Sequence, residues 1–112
     1  MTTRTLVSFV SVRTHLERKL AGLPGLTRRP SRYGDSHSYF VADREIAHFH
    51  GAERMDVRLT KERIPELKSV GVLDSRVKTR GRFAEWVSLS LTDPRDVDYA
   101  LQLVEEAVRA NS

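Results

Sequence analysis

The sequence predicts an α+β fold: a two-layer sandwich, an antiparallel sheet with its helices packed on one face and the other face largely open. Three observations carry this. The stretch Glu45 to Thr60 alternates apolar and polar residues on both sides of Gly51, as a half-buried hairpin does, because successive strand side chains point to opposite faces. A second alternating run, Glu85 to Leu91, follows the same rule. Segments with helical spacing lie before, between and after the strand runs. Alternating rather than wholly apolar strands imply an antiparallel sheet with one face away from the helices.

In chain order, Phe9, Val12, Leu16 and Leu20 recur every three or four positions and predict a helix within Leu6–Leu20. Gly22, Pro24 and Gly25 end it. Leu26 to Arg29 reads as a short edge strand stopped by Pro30, and Ser31 to His37 as a loop. Ser38 to Ala42 is aromatic and β-branched, a strand, with Asp43-Arg44 as a tight connection into the central hairpin. In that hairpin Ala47, Phe49, Met55, Val57 and Leu59 form the core-facing set. His48, His50, Arg54, Asp56 and Arg58 form the set on the open face. Because the histidines are placed on that face, their removal is expected to leave stability nearly unchanged, whereas loss of Phe49 is not.

Thr60 suits the cap of a second helix with Ile64, Leu67 and Val70 inward and Gly71 at its end. Pro65 removes a donor there, so its first turn is irregular or the helix starts near Ile64. Arg76 to Phe83 alternates basic and uncharged residues. In the next strand Val87, Leu89 and Leu91 point inward and Trp86, Ser88 and Ser90 outward. Asp93 and Pro94 suit the cap and first position of a last helix with Val97, Ala100, Leu101, Val104 and Val108 as its stripe.

At 112 residues the chain is expected to form one domain, 1–112, with a core large enough to need no staples. It has no cysteine, which excludes disulfides, thiolate metal sites and cysteine nucleophiles. No apolar run nears the roughly 20 residues that cross a bilayer, and the N-terminus makes a poor signal peptide. A cytoplasmic protein with no membrane partner is the expectation. The net charge of +4 comes from the first third: residues 1–44 hold eight Lys/Arg against three Asp/Glu. Arg28, Arg29 and Arg32 are candidates for anion binding, and a solvated basic loop is the plainer reading.

Chemistry has one place to gather. His48 and His50 can bind a ligand, act as acid and base near neutral pH, or hold a metal with Asp56 as third ligand. They can also be strand residues bonded across the sheet. That last reading weighs most and the metal least, because a fourth ligand is missing. No cofactor and no tightly bound metal are expected. Asp56 and Arg58 read as an oriented base beside an anion clamp, or as a surface ion pair. Trp86, the single tryptophan, faces outward, where such rings cover ligands or interfaces. Tyr33 and Gly34 belong to a loop able to cover that face. His15 and His37 read as surface residues. The stripe Arg76, Lys78, Arg80 and Arg82 suits phosphates, yet it carries no interleaved aromatics and equally protects an edge strand from association.

Four segments resemble the bacterial luciferase-family proteins: Arg29-Pro30-Ser31-Arg32-Tyr33-Gly34; Arg44 to Gly51 with Met55-Asp56-Val57; Glu85-Trp86-Val87-Ser88-Leu89; and Asp96-Val97-Asp98 with Leu103-Val104. The resemblance runs from about Leu16 onward. It implies a small domain, related to the catalytic domain of fungal luciferase, in a family for most of which no function is assigned. The fungal enzyme oxidises a hydroxylated pyrone with molecular oxygen and, as the family suggests, without metal or flavin. Where the fungal proteins carry a further histidine after the middle helix, Val72 to Phe83 holds none, so the resemblance implies the fold rather than the luciferase reaction. The expected role is binding of a small organic molecule on the open face, with or without its oxidation. The alternative is a non-catalytic interaction module that binds nucleic acid or protein through the basic loop and edge, nucleic acid being the less favoured partner. A homodimer pairing open faces around Trp86 is a third arrangement.

Overall fold

A computed structural model describes residues 11–32, 37–79 and 84–112. Six strands form one antiparallel sheet: β1 (Thr27–Pro30), β2 (His37–Val41), β3 (Arg44–His50), β4 (Arg54–Arg58), β5 (Val77–Thr79) and β6 (Trp86–Ser90). Their order is β1-β2-β3-β4-β6-β5, so the central hairpin lies in the middle and the chain crosses over to place β5 at an edge. Three helices are described, α1 (Val12–Leu20), α2 (Arg63–Ser69) and α3 (Asp96–Ala110). The architecture is the predicted α+β sandwich.

The core is the inward set of the alternating strands closed by helical stripes. Ala47, Phe49, Met55, Val57, Val87 and Leu89 are buried with Leu16 and Leu20 of α1, Ile64 and Leu67 of α2, and Leu103, Val104 and Ala107 of α3. Phe49 is 1% exposed. The Tyr39 ring meets it edge-on at 6.3 Å, and the Arg13 guanidinium lies 4.4 Å from its centre. Arg13 also donates to the Gly51 carbonyl at 2.8 Å, which ties α1 to the central turn. Gly51 has φ +68°, a left-handed angle that suits glycine in this three-residue turn.

Several boundaries differ from the sequence reading. Helix α1 begins at Val12 behind a Ser11 cap, whose hydroxyl accepts the Thr14 N–H; Leu6 and Phe9 lie outside the described residues. The β2–β3 turn is Ala42-Asp43, not Asp43-Arg44, since Val41 pairs with Arg44. Thr60 does cap: its hydroxyl accepts the Arg63 N–H and its carbonyl the Ile64 N–H. Pro65 withdraws the next donor, and regular helix starts at Arg63. Val70 is 71% exposed, not inward. The helix stops at Ser69, the chain turns at Gly71 (φ +80°), and Leu73 takes the place under the sheet. Asp93 and Pro94 form a tight turn before α3, with the Asp96 carboxylate accepting the Thr92 and Asp93 N–H groups; regular helix begins at Asp96. In α3, Leu101 and Val108 sit at the margin of the stripe. No described helix is long and apolar enough to cross a membrane.

One irregularity matters most for function. Tyr39 pairs with Ala47 and Phe40 with Glu45, so Ile46 is an extra residue, a β-bulge in β3. Ile46 and Ala47 both enter the core. Everything before them in β3 therefore changes face, and Glu45, which strict alternation puts with Ala47, joins the histidines.

Candidate functional site

The face opposite the helices is built from register. His48 stands across from Asp56, which stands across from Ser88; His50 pairs with Arg54, and Arg58 with Trp86. A carboxylate thus has imidazoles on one side and a hydroxyl on the other. His48 Nε2 lies 3.3 Å from Asp56 Oδ2 and His50 Nε2 lies 3.0 Å from the same oxygen. Ser88 donates to Asp56 Oδ1 at 2.6 Å, with Arg54 3.5 Å away. Burial pushes the Asp56 carboxyl up, but the hydrogen bonds of His48 and Ser88 and the charges of Arg54 and His50 outweigh it. They hold the group well below the usual carboxylate range.

The far side of His48 meets a second carboxylate. Its Nδ1 lies 3.0 Å from Glu45 Oε2, a close contact without the alignment of a hydrogen bond. Glu45 is itself fixed: Ser31 donates to Oε2 at 3.0 Å and the Arg32 backbone N–H to Oε1 at 2.8 Å. The result is a chain of groups, Glu45, His48, Asp56 and His50, of which only the last opens to solvent. Glu45 is 5% exposed, His48 4% and Asp56 9%. The expectation of solvent-facing histidines therefore fails for His48 and holds for the half-buried His50. Tertiary packing is the cause. The Trp86 ring lies 4.8 Å from the His48 ring at 41°, and the Ser31–Arg32 segment reaches Glu45 at the other end.

His48, His50, Arg54, Asp56, Trp86 and Ser88 line a cleft of about 400 Å³. Of the predicted ligand-binding residues, four meet there, and Arg58 does not join them. Its guanidinium is committed to Glu85 and the Asn111 side chain, and its carbonyl accepts from Asn111 at 2.9 Å. It lines a neighbouring cleft of about 660 Å³ with Arg32, Arg44 and the same Trp86. The three arginines proposed for anions are not one patch. Arg28 faces Glu17 at 3.9 Å, while Arg29 lies 4.2 Å from the centre of the Phe40 ring and bonds the Ala42 carbonyl. Arg32 reaches the larger cleft. Strand alternation sends Arg28 and Arg29 to opposite faces. Arg76 pairs with Asp74 and covers Tyr99; Arg80, Arg82, Tyr33 and Gly34 lie outside the described residues. Glu45 was missed because the bulge has no signature in alternation. Arg54 and Ser88 were legible from parity alone.

A family model described as Luciferase domain matches residues 43–107, more than half of the chain. No curated protein and no solved structure matches it.

Proposed function

Since the chain belongs to the luciferase-domain family, we propose that it binds a small organic molecule in the cleft between Trp86 and the two histidines. One observation carries the reading: a buried run of alternating carboxylates and imidazoles ends at the half-exposed His50, on the floor of a cleft with an aromatic wall. Buried carboxylates are costly to assemble, and a cleft carboxyl held well below its usual range, as Asp56 is, marks functional sites. Asp56 engages His50 through Nε2, which leaves Nδ1 to exchange a proton with a bound molecule. Trp86 supplies apolar contact area for a planar ligand.

The test is a thermal-shift and tryptophan-fluorescence screen of planar aromatic and enolic molecules at low and high salt. The expected result is saturable binding that is insensitive to salt and lost in Trp86→Ala and His50→Ala. Binding of random-sequence DNA that falls steeply with salt, with no small-molecule response, would overturn it in favour of an interaction module.

A further inference from the structure

We propose that His48, His50 and Asp56 take an exchangeable divalent transition-metal ion, an inference that rests on reading the same cleft as the ligand site and adds a cofactor to it. Each offers one donor atom, and these three atoms lie within 4.8 Å of one another. The two nitrogen–oxygen separations are 3.3 and 3.0 Å. An ion bound at about 2.0–2.1 Å makes polyhedron edges of about 3.0 Å in an octahedron and about 3.3 Å in a tetrahedron. Both separations are therefore already those of neighbouring ligands. The remaining adjustment falls to His50, the half-exposed member, which swings toward His48.

The surroundings fit as well. A metal-binding imidazole usually has its other nitrogen on a carboxylate, which fixes the ring and raises its basicity. Glu45 stands 3.0 Å from His48 Nδ1, near enough to take that bond after a small turn of the ring, and it is itself held by Ser31 and the Arg32 backbone. The non-ligating oxygen of Asp56 is held by Ser88. Among the described residues the Asp56 carboxylate has one arginine within 4 Å, Arg54 at 3.5 Å, so a dication improves the local charge balance. Two imidazoles and one carboxylate favour zinc, cobalt, iron or nickel over calcium or magnesium. Three protein ligands leave positions open toward the cleft for water or an oxygen of the bound molecule. With only three ligands and one of them half-exposed, the ion exchanges readily; a metal here departs from the sequence-based expectation of no cofactor.

The experiment is titration of chelator-treated whole chain with Co²⁺ at pH 7.5. The expected result is a saturable visible absorption band at one ion per chain, with quenching of Trp86, whose ring adjoins His48. Zn²⁺ should displace the ion and Mg²⁺ should not. His50→Ala and Asp56→Asn should abolish the band, and Glu45→Gln should weaken binding about 10- to 100-fold as an orienting group does, with circular dichroism checking that each variant is folded. No saturable band up to millimolar Co²⁺, or a band unchanged in folded His50→Ala, would overturn the proposal. If Co²⁺ is silent while organic molecules still bind in chelator, the metal alone fails. If Co²⁺ binds as described and no organic molecule does, the metal site stands and the preceding reading fails.

Discussion

Three alanine substitutions on one strand test its core face and its buried polar network by stability alone. Phe49 is 1% exposed and packs among the aliphatic residues between sheet and helices. Truncating such a ring costs about 3–5 kcal/mol through lost transfer energy and an unfilled cavity. At roughly 4 °C per kcal/mol for a chain of this length, Phe49→Ala lowers Tm by roughly 12–20 °C. His50 is half-buried, and His50→Ala should cost only about 0.5 kcal/mol. His48 is the informative case. Its side chain is 5% exposed between Glu45 and Asp56, whose side chains are 2% and 13% exposed. Its removal leaves two buried carboxylates without the group between them, worth about 2–4 kcal/mol on the scale of broken buried pairs. Part of that cost is repulsion between Glu45 and Asp56, so Glu45→Gln should recover some of it in the His48→Ala background. Urea unfolding at pH 7.5, followed by circular dichroism for the parent chain and the four variants, measures each difference. A His48→Ala as silent as His50→Ala would refute the buried network, and a silent Phe49→Ala would refute the face assignment.

Two further outcomes follow from local geometry. Ala42 has φ +53° in the β2–β3 turn, an angle that costs an L residue about 1–2 kcal/mol. Ala42→Gly removes that cost but adds unfolded-state entropy, so a net gain of roughly 0.5–1 kcal/mol should appear as a higher urea midpoint at unchanged slope. In acid, hydrogen bonds from Arg76 and Arg95 hold the Asp74 and Asp93 carboxyls down at about 2 against an ordinary 3.8. A carboxyl depressed in the folded state stabilises above its unfolded value, and that contribution is lost as pH falls toward its folded value. The stability curve should therefore drop between about pH 4 and pH 2, modestly because both pairs are exposed. Asp74→Asn with Asp93→Asn should make that limb shallower without removing it when the urea midpoint is followed against pH, because Asp56 is held lower still and contributes over the same range.

How much of this was written plainly in the chain differs from element to element. Phe49, Val57, Val87 and Leu89 could be placed inward by counting, because period-two alternation is a local property and survives folding. The same counting put Arg54, Asp56, Trp86 and Ser88 together on the other face. It failed at Glu45, because an inserted residue resets the count and nothing in Glu45-Ile46-Ala47 announces it. It failed differently for His48, whose face was right but whose burial depends on Trp86 and on Ser31 and Arg32, brought in from distant parts of the sequence. Arg58 shows the same limit: its partner Asn111 is 53 positions away. Val70 misled because helical spacing continued past the point where the backbone had already turned.

The bulge at Ile46 makes the site a matter of strand register as much as of composition. Pairing the same residues without the bulge would leave every charged group in the sequence, yet it would rotate the strand's opening segment by half a turn. Glu45 would then point at the aliphatic interior and His48 would lose its neighbour. A protein could keep both histidines, the aspartate and the tryptophan, and still be out of phase with this arrangement by one residue.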